Sequence, residues 1–438
     1  MKNYLTVTGL GCLLFAATVF AEPGTPALMV GTPPSVESQV SFKNYRHYPF
    51  SKWAFHNIGA ALNVVVIPRE GQITSLKETP LAELGAMRLE DGFGHRRSVE
   101  QILADNDTDA FVVLHNNEVL FERYYSGMHR HDQHIWFSMT KSLVSTALGI
   151  LVEEGKVNLE KSPAHYIPEL KGSGFERTTI QQVLNHSSAL AFKENYTDVN
   201  SDFLKYYGPA LNMAFIPGGR DAQPETTEIY GVHNFLEKFI RPDESLEPGE
   251  EFDYNSANAD VVGWLVARVS GMPLQDFIQQ KIWSRLGTEH DALIVVDRAF
   301  MPVATGGMAS TVRDAALFGQ MILNRGSVGG EQIVPAAWVD QSLAIAARDR
   351  QKMKNNAKYA ADSWTAYKNM WWILDAQQGE YAAVGVHGQV IYINRSANVV
   401  IAWFSSQPVA SAASNPQFKS KLLATQAIAR HLRAKTPG

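Results

Sequence analysis

Strand-forming sequence lies at both ends of the patterned part of this chain, and helical sequence fills the stretch between. Phe111-Val-Val-Leu-His115 and Val119-Leu-Phe-Glu-Arg-Tyr-Tyr125 read as two strands joined at Asn116-Asn117, a hairpin. Strand signals return near the end, at Tyr381–Val386, Val390–Asn394 and Val399–Phe404. Between them the apolar spacing is helical over Thr179–Leu184, Asp260–Val269, Pro273–Leu286, Val312–Asn324 and Pro335–Leu343. A last amphipathic helix runs from about Phe418 to Ala434. This order predicts an α/β architecture. An α+β lobe has an antiparallel sheet drawn from both ends and flanked by helices, and an all-helical lobe covers about residues 142–340. A cleft between the lobes is the natural site.

The N-terminus has its own pattern. Met1-Lys2-Asn3 is followed by an apolar run from Leu10 to Phe20 and a small-residue site at Val19-Phe20-Ala21. This reads as a signal peptide over residues 1–21, too short for a comfortable membrane span. Export is expected, to a compartment such as the periplasm, with no stable membrane insertion after cleavage. The single cysteine, Cys12, would leave with the signal. That excludes disulfides, thiol catalysis and cysteine-ligated metals in the mature chain. Residues 22–107 read as an extended arm containing a strand at Asn63–Pro68, and 108–438 as the main domain. The 438 residues carry a formal net charge of −5 without a long basic run, so nucleic acid is not an expected partner.

Ser138-Met139-Thr140-Lys141 places a hydroxyl and an amine on one face of a helical turn. An amine so placed can take the proton that a serine does not readily give up. The residues after it, Ser142 to Gly155, read as an amphipathic helix stopped by glycine, which puts Ser138 at a helix N-terminus. There its own N–H and the helix dipole would favour an oxyanion. Tyr254 stands just before the helix at Ala257–Ala267. It is either a proton carrier for this pair or a buried tyrosine with a satisfied hydroxyl. Val384-Gly385-Val386-His387-Gly388-Gln389 has glycines within a strand region. They mark either close approach of a ligand or backbone, with Val386 N–H as a second oxyanion donor, or a bend. His129-Arg-His131-Asp132-Gln-His134 nearly matches a zinc pattern but lies directly before Ser138, where a cleft rim explains it. No metal or cofactor is expected.

Together these residues resemble the serine β-lactamase and penicillin-binding superfamily, whose pattern runs SxxK, then Tyr-x-Asn or Ser-x-Asn, then Lys-Thr-Gly. The resemblance spans about Ala110 to Thr425. It is more specific to the branch of 6-aminohexanoate-dimer hydrolases and related carboxylesterases, through Glu251–Trp264, Gly306–Asp314, Trp371-Trp372 and Gly385–Gln389. The resemblance implies Ser138 as nucleophile, Lys141 as its base, Tyr254 as proton shuttle, and the Ser138 and Val386 N–H groups as oxyanion hole. It implies Tyr196, Ser256, Trp372, Gly385 and His387 at the substrate, and a small-molecule ester or amide as that substrate. Two departures stand out. Ser256 replaces the asparagine two residues after the tyrosine, and Ala383-Val384-Gly385 replaces Lys-Thr-Gly. The strand thus supplies no cation, and carboxylate-bearing β-lactams are expected to bind poorly. An acid associated with oligo-amide cleavage is not evident near Tyr196, where Tyr206-Tyr207 stands. The alternatives are a β-lactamase or D-alanyl-D-alanine carboxypeptidase, and a catalytically silent binding protein of the same fold.

Overall fold

The hairpin expected at Asn116-Asn117 forms with both residues at positive φ, +52° and +65°, as a tight turn matched to twisted strands requires. The computed structural model describes residues 27–196, 198, 200–213, 229–360, 363–410 and 415–435. The signal sequence, with Cys12, lies outside them. Backbone contacts divide the chain into two units, residues 1–39 and 40–438. The described part of the first ends in a helical turn at Val36–Ser38, with Met29 N–H donating to Ser38 O at 3.0 Å.

In the second unit the large sheet has eight strands among the described residues. In chain order they are β1 (Lys77–Glu78), β2 (Thr108–His115), β3 (Glu118–Tyr124), β4 (Ala366–Lys368), β5 (Trp371–Asp375), β6 (Glu380–Gly385), β7 (Gln389–Asn394) and β8 (Val399–Ser405). Across the sheet they run β4-β5-β6-β7-β8-β2-β3-β1. Every pair is antiparallel except β1 with β3. The two ends of the chain therefore meet in mid-sheet, where Ile401 of β8 faces Val113 of β2. Period-2 alternation sorts the side chains. Val390, Tyr392, Ile401 and Trp403 pack with Phe111 and Val113 against Leu422, Ile428 and Leu432 of the C-terminal helix Pro416–Lys435.

Three helices position the site. They are α1 (Thr140–Glu153), α2 (Ala257–Ser270) and α3 (Val312–Leu323). Helix α1 is buried from Thr140 to Leu151, so it is a central helix rather than an amphipathic surface one, and it packs on α2. Its glycine Gly149 meets α4 (Ala336–Leu343), where an added Cβ would lie 2.3 Å from the Trp338 ring.

The middle of the chain corrects the expectation of an all-helical lobe. Ala292–Val295 and Met308–Ser310 are strands there. They form a second sheet with Val64–Ile67 and His134–Ile135. Ala292-Leu-Ile-Val-Val296 is a short, partly β-branched apolar run, which periodicity alone does not separate from helix. Residues 40–107 belong to the same unit as the rest and add one strand to each of these two sheets.

The Gly149 contact yields a stability prediction. Gly149→Ala should destabilise the fold by about 1–3 kcal/mol through overpacking against Trp338, despite the better helix propensity of alanine. Urea unfolding checks it; an unchanged midpoint would refute the contact.

Candidate active site

Ser138 lies in a single helical turn, Phe137–Met139, that runs directly into α1. The second sheet fixes this turn. Trp136 N–H donates to Met308 O at 2.7 Å, Trp136 Nε1–H to Ser310 Oγ at 2.9 Å, and Met308 N–H to Thr140 Oγ1 at 3.1 Å. Gly385, the last residue of β6, closes on it from the other side. A Cβ there would sit 2.3 Å from Trp136 O, so the glycine serves close approach of two backbones. Phe137 is held at a φ of +46°, a conformation a bulky residue rarely adopts. Its ring packs edge-on against Phe55 at 5.0 Å and tilts against His387 at 5.5 Å.

Lys141 rises from the first turn of α1 with Nζ 2.8 Å from Ser138 Oγ, and it donates to Thr305 O at 2.9 Å. The residue is 1% exposed, whereas Ser138 is partly open to solvent. Burial penalises the ammonium and pulls its pKa below the usual lysine range; the carboxylates of Glu194 and Asp260 oppose that shift. Asp260, on α2, orders the same region. Its Oδ1 accepts from Thr305 N–H at 2.9 Å and its Oδ2 accepts from the Tyr207 hydroxyl. Thr305, whose carbonyl accepts from Lys141, is thus held through its N–H by a buried carboxylate, whose own pKa burial raises. Asp260 escaped the sequence reading, although an acid at a helical position amid Val261, Val262 and Ala259 is itself a signal of a buried polar role.

Tyr254 stands over the pair. Lys141 Nζ is 5.1 Å from the centre of its ring. Burial and the Glu194 charge hold its hydroxyl protonated well above the usual tyrosine range, while a hydrogen bond with the Ser138 side chain lowers it. The ring stacks on Trp372 at 5.5 Å and lies 4.9 Å from His186. His186 is neutral, since burial and the nearby lysine disfavour its charged form; its Nδ1 accepts from Asn255 N–H at 3.1 Å. A small pocket opens beside the serine, lined by Ser138, Val386, Tyr196, Ser256, Thr305 and Arg46 among others. Ser138, Val386, Tyr196 and Ser256 therefore line one pocket, with Lys141 and Tyr254 against Ser138; Trp372 stacks behind Tyr254 and Gly385 packs on Trp136 O, and neither lines it.

Four corrections accompany this. An acid does stand near Tyr196. Glu194 Oε2 accepts from the Tyr196 hydroxyl at 2.6 Å, and Oε1 accepts from Ser256 N–H. It precedes the tyrosine by two residues rather than following it. His387 does not line the pocket. Its Nδ1 donates to Gln407 O at 2.7 Å, and burial holds it neutral, its pKa pushed down to about 3. Trp371, expected beside Trp372 and Tyr196 as an apolar wall of the pocket, packs instead on Phe318 and Tyr381, as strand alternation requires. The strand supplies no cation, yet the pocket receives one. Arg46 reaches it from sequence remote from every motif.

The histidine run disperses. His134 is buried, with Nε2 3.1 Å from Asp109 Oδ2, while His129 and His131 are exposed. Among the described residues no group of three or more His, Cys, Asp or Glu side chains is placed to hold a metal.

The chain is similar to known proteins over most of its length. The family described as Beta-lactamase matches residues 96–424. A 6-aminohexanoate-dimer hydrolase of Paenarthrobacter ureafaciens is 30% identical over 376 residues, 86% of this chain and 90% of the relative. A Bacillus anthracis structure provisionally titled 6-aminohexanoate-dimer hydrolase superposes with a TM-score of 0.79 at 26% identity, covering 93% of this chain and all of that one. The hydrolase EstCE1 shares the fold, with a TM-score of 0.55 at 17% identity over 76% of this chain and 96% of its own. The chain is an enzyme of the β-lactamase family of serine hydrolases, similar over most of its length to 6-aminohexanoate-dimer hydrolase.

Proposed function

We propose that this protein is an exported hydrolase that cleaves a carboxylic ester or amide through an acyl-enzyme on Ser138. The observation that carries the reading is the 2.8 Å approach of Ser138 Oγ to the buried Lys141 Nζ. Neutral Lys141 takes the Ser138 proton as Oγ bonds to the carbonyl carbon and the C=O electrons move onto oxygen. The N–H groups of Ser138 and Val386 receive that oxyanion. As the carbonyl re-forms, the bond to the leaving oxygen or nitrogen breaks. That atom takes the Tyr254 proton, and the phenolate recovers one from protonated Lys141. Water then repeats the sequence on the ester at Ser138, which regains its proton as the acid departs. Tyr196, oriented by Glu194, stands beside the pocket to meet a leaving amine, which supports amides of the kind named in the 6-aminohexanoate-dimer hydrolase relative.

Three measurements test this. Fluorophosphonate should label Ser138, and Ser138→Ala should abolish both labelling and turnover of p-nitrophenyl butyrate. Lys141→Ala and Tyr254→Phe should each lower kcat by about 100-fold or more. Near wild-type turnover in Ser138→Ala would end the reading.

The pH profile has a definite sign. Activity needs Lys141 without its extra proton, so kcat/KM should rise with pH on a limb below the ordinary lysine range. Asp260→Asn removes an anion that favours the ammonium, and should move that limb to lower pH. A limb unmoved by Asp260→Asn would show that the carboxylate does not act on Lys141.

Export rests on the pattern of residues 1–21. Mass analysis of protein recovered from the exported fraction should give an N-terminus at Glu22. An intact Met1 in that fraction would refute cleavage.

A further inference from the structure

We propose that Lys421, on the C-terminal helix Pro416–Lys435, is a positioning residue for the oxyanion hole: its amine fixes the turn that presents the Val386 N–H. The proposal rests on the hydrolase reading above and deepens it. Val386 lines the pocket beside Ser138 and opens the turn Val386–Gly388, which joins β6 to β7. In that turn His387 and Gly388 hold φ of +61° and +92°. A histidine in that conformation persists only where its surroundings impose it. Both ends of the turn are held from outside. Gly385, just before it, meets Trp136 O, and Gly388 O accepts from Lys421 Nζ at 2.6 Å.

Lys421 also donates to Ser405 Oγ at 2.7 Å, so one amine ties the turn to the last residue of β8. The remaining tethers come from the same neighbourhood. His387 N–H donates to Ala410 O at 3.0 Å, and Gln407 N–H donates to His387 O at 3.2 Å. Gln389 Nε2 donates to Val386 O at 3.3 Å and to Ser405 O at 2.6 Å. Gly388 packs tightly in this frame: a Cβ there would lie 2.7 Å from Gln407 Oε1 and 3.1 Å from Lys421 Nζ. Lys421 is fully buried and does not line the pocket, so it acts on the reaction only through the turn. Its amine meets neutral oxygens and the face of Trp403, whose ring centre is 4.3 Å away. Burial pulls its pKa well below the usual lysine range, and Asp109 and Asp107 oppose that shift from a distance. An amine buried without a paired carboxylate is costly, and an apolar side chain of similar length would fill the same space. What the amine adds is two hydrogen bonds, and one of them sets the carbonyl two residues after the oxyanion donor.

A carbonyl–thiocarbonyl pair tests the proposal. Sulfur is larger than oxygen and a weaker acceptor. The kcat/KM ratio of p-nitrophenyl butyrate to p-nitrophenyl thionobutyrate therefore reports how well the Ser138 and Val386 N–H groups are placed. The wild-type enzyme should favour the oxygen ester. Lys421→Met, which keeps the length of the side chain and loses its donors, should lower that ratio by about 10-fold. It should weaken inhibition by butaneboronic acid by a similar factor, because the tetrahedral adduct on Ser138 places an oxygen in the hole. Lys421→Gln, with a shorter donor, should fall between, and it carries the test if Lys421→Met does not fold. Ile428→Ala opens a cavity seven residues further along the same helix; it should lower the melting temperature and leave the ratio as in the wild type. A wild-type ratio in the folded Lys421 variant would overturn the proposal. So would an equal fall in Ile428→Ala, since docking of the helix would then be the whole effect. No preference for oxygen in the wild type would overturn the oxyanion role of Val386, and the proposal with it. All of these outcomes leave fluorophosphonate labelling of Ser138 in place, whereas absence of that labelling in the wild type would overturn the hydrolase reading itself.

Discussion

A lysine ammonium in water keeps its proton to about pH 10. Lys141 sits where that charge is hard to sustain. It is buried, and the groups it touches, Ser138 Oγ and Thr305 O, are both neutral. Two carboxylates lie near enough to soften the penalty without pairing with the amine. The rest of the site follows from keeping this balance. The Thr305 carbonyl must stay in position, and Asp260 fixes it through the Thr305 N–H. The tyrosine above must remain a neutral phenol, and burial ensures that. Helix α1 must be buried on all sides, which its run of small and apolar residues from Ser142 to Leu151 allows.

The serine turn is also over-determined from outside. It is tied to the second sheet through Trp136 and Thr140, pressed by β6 through Gly385, and braced by Phe55 from the N-terminal region. Such bracing is what a left-handed Phe137 demands, because that backbone conformation costs of order 1–3 kcal/mol and persists only when its surroundings impose it. Local strain and long-range packing are one arrangement here.

What could be read from the sequence divides along a physical line. Ser138 and Lys141 are one helical turn apart, so spacing alone brought them together. The hairpin at Asn116-Asn117 and the helices at Ala257–Ser270 and Val312–Leu323 likewise rest on short-range pattern. Gly385 was legible as either a close approach or a bend, and not as an approach to the Trp136 carbonyl. Strands Ala366–Lys368 and Trp371–Asp375 were not marked because their aromatic residues face two different environments rather than alternating with polar ones. Glu194 and Asp260 announce themselves only once the fold sets them beside Tyr196 and Lys141. Arg46 had no local signal at all: it stands 92 residues before Ser138, and only the fold brings it to the pocket.

The contact between Gly385 and Trp136 O has an evolutionary side. Two main chains touch there, so the width of the gap between Ser138 and Val386 is set without any side chain. The residues that precede the contact, Ala383 and Val384, are then free to drift in size and charge without disturbing it. A lineage can exchange one recognition group for another on the strand, or import it from elsewhere in the chain, while the place where the carbonyl reacts stays constant. Divergence of substrate among proteins of this architecture needs no rebuilding of the reactive centre.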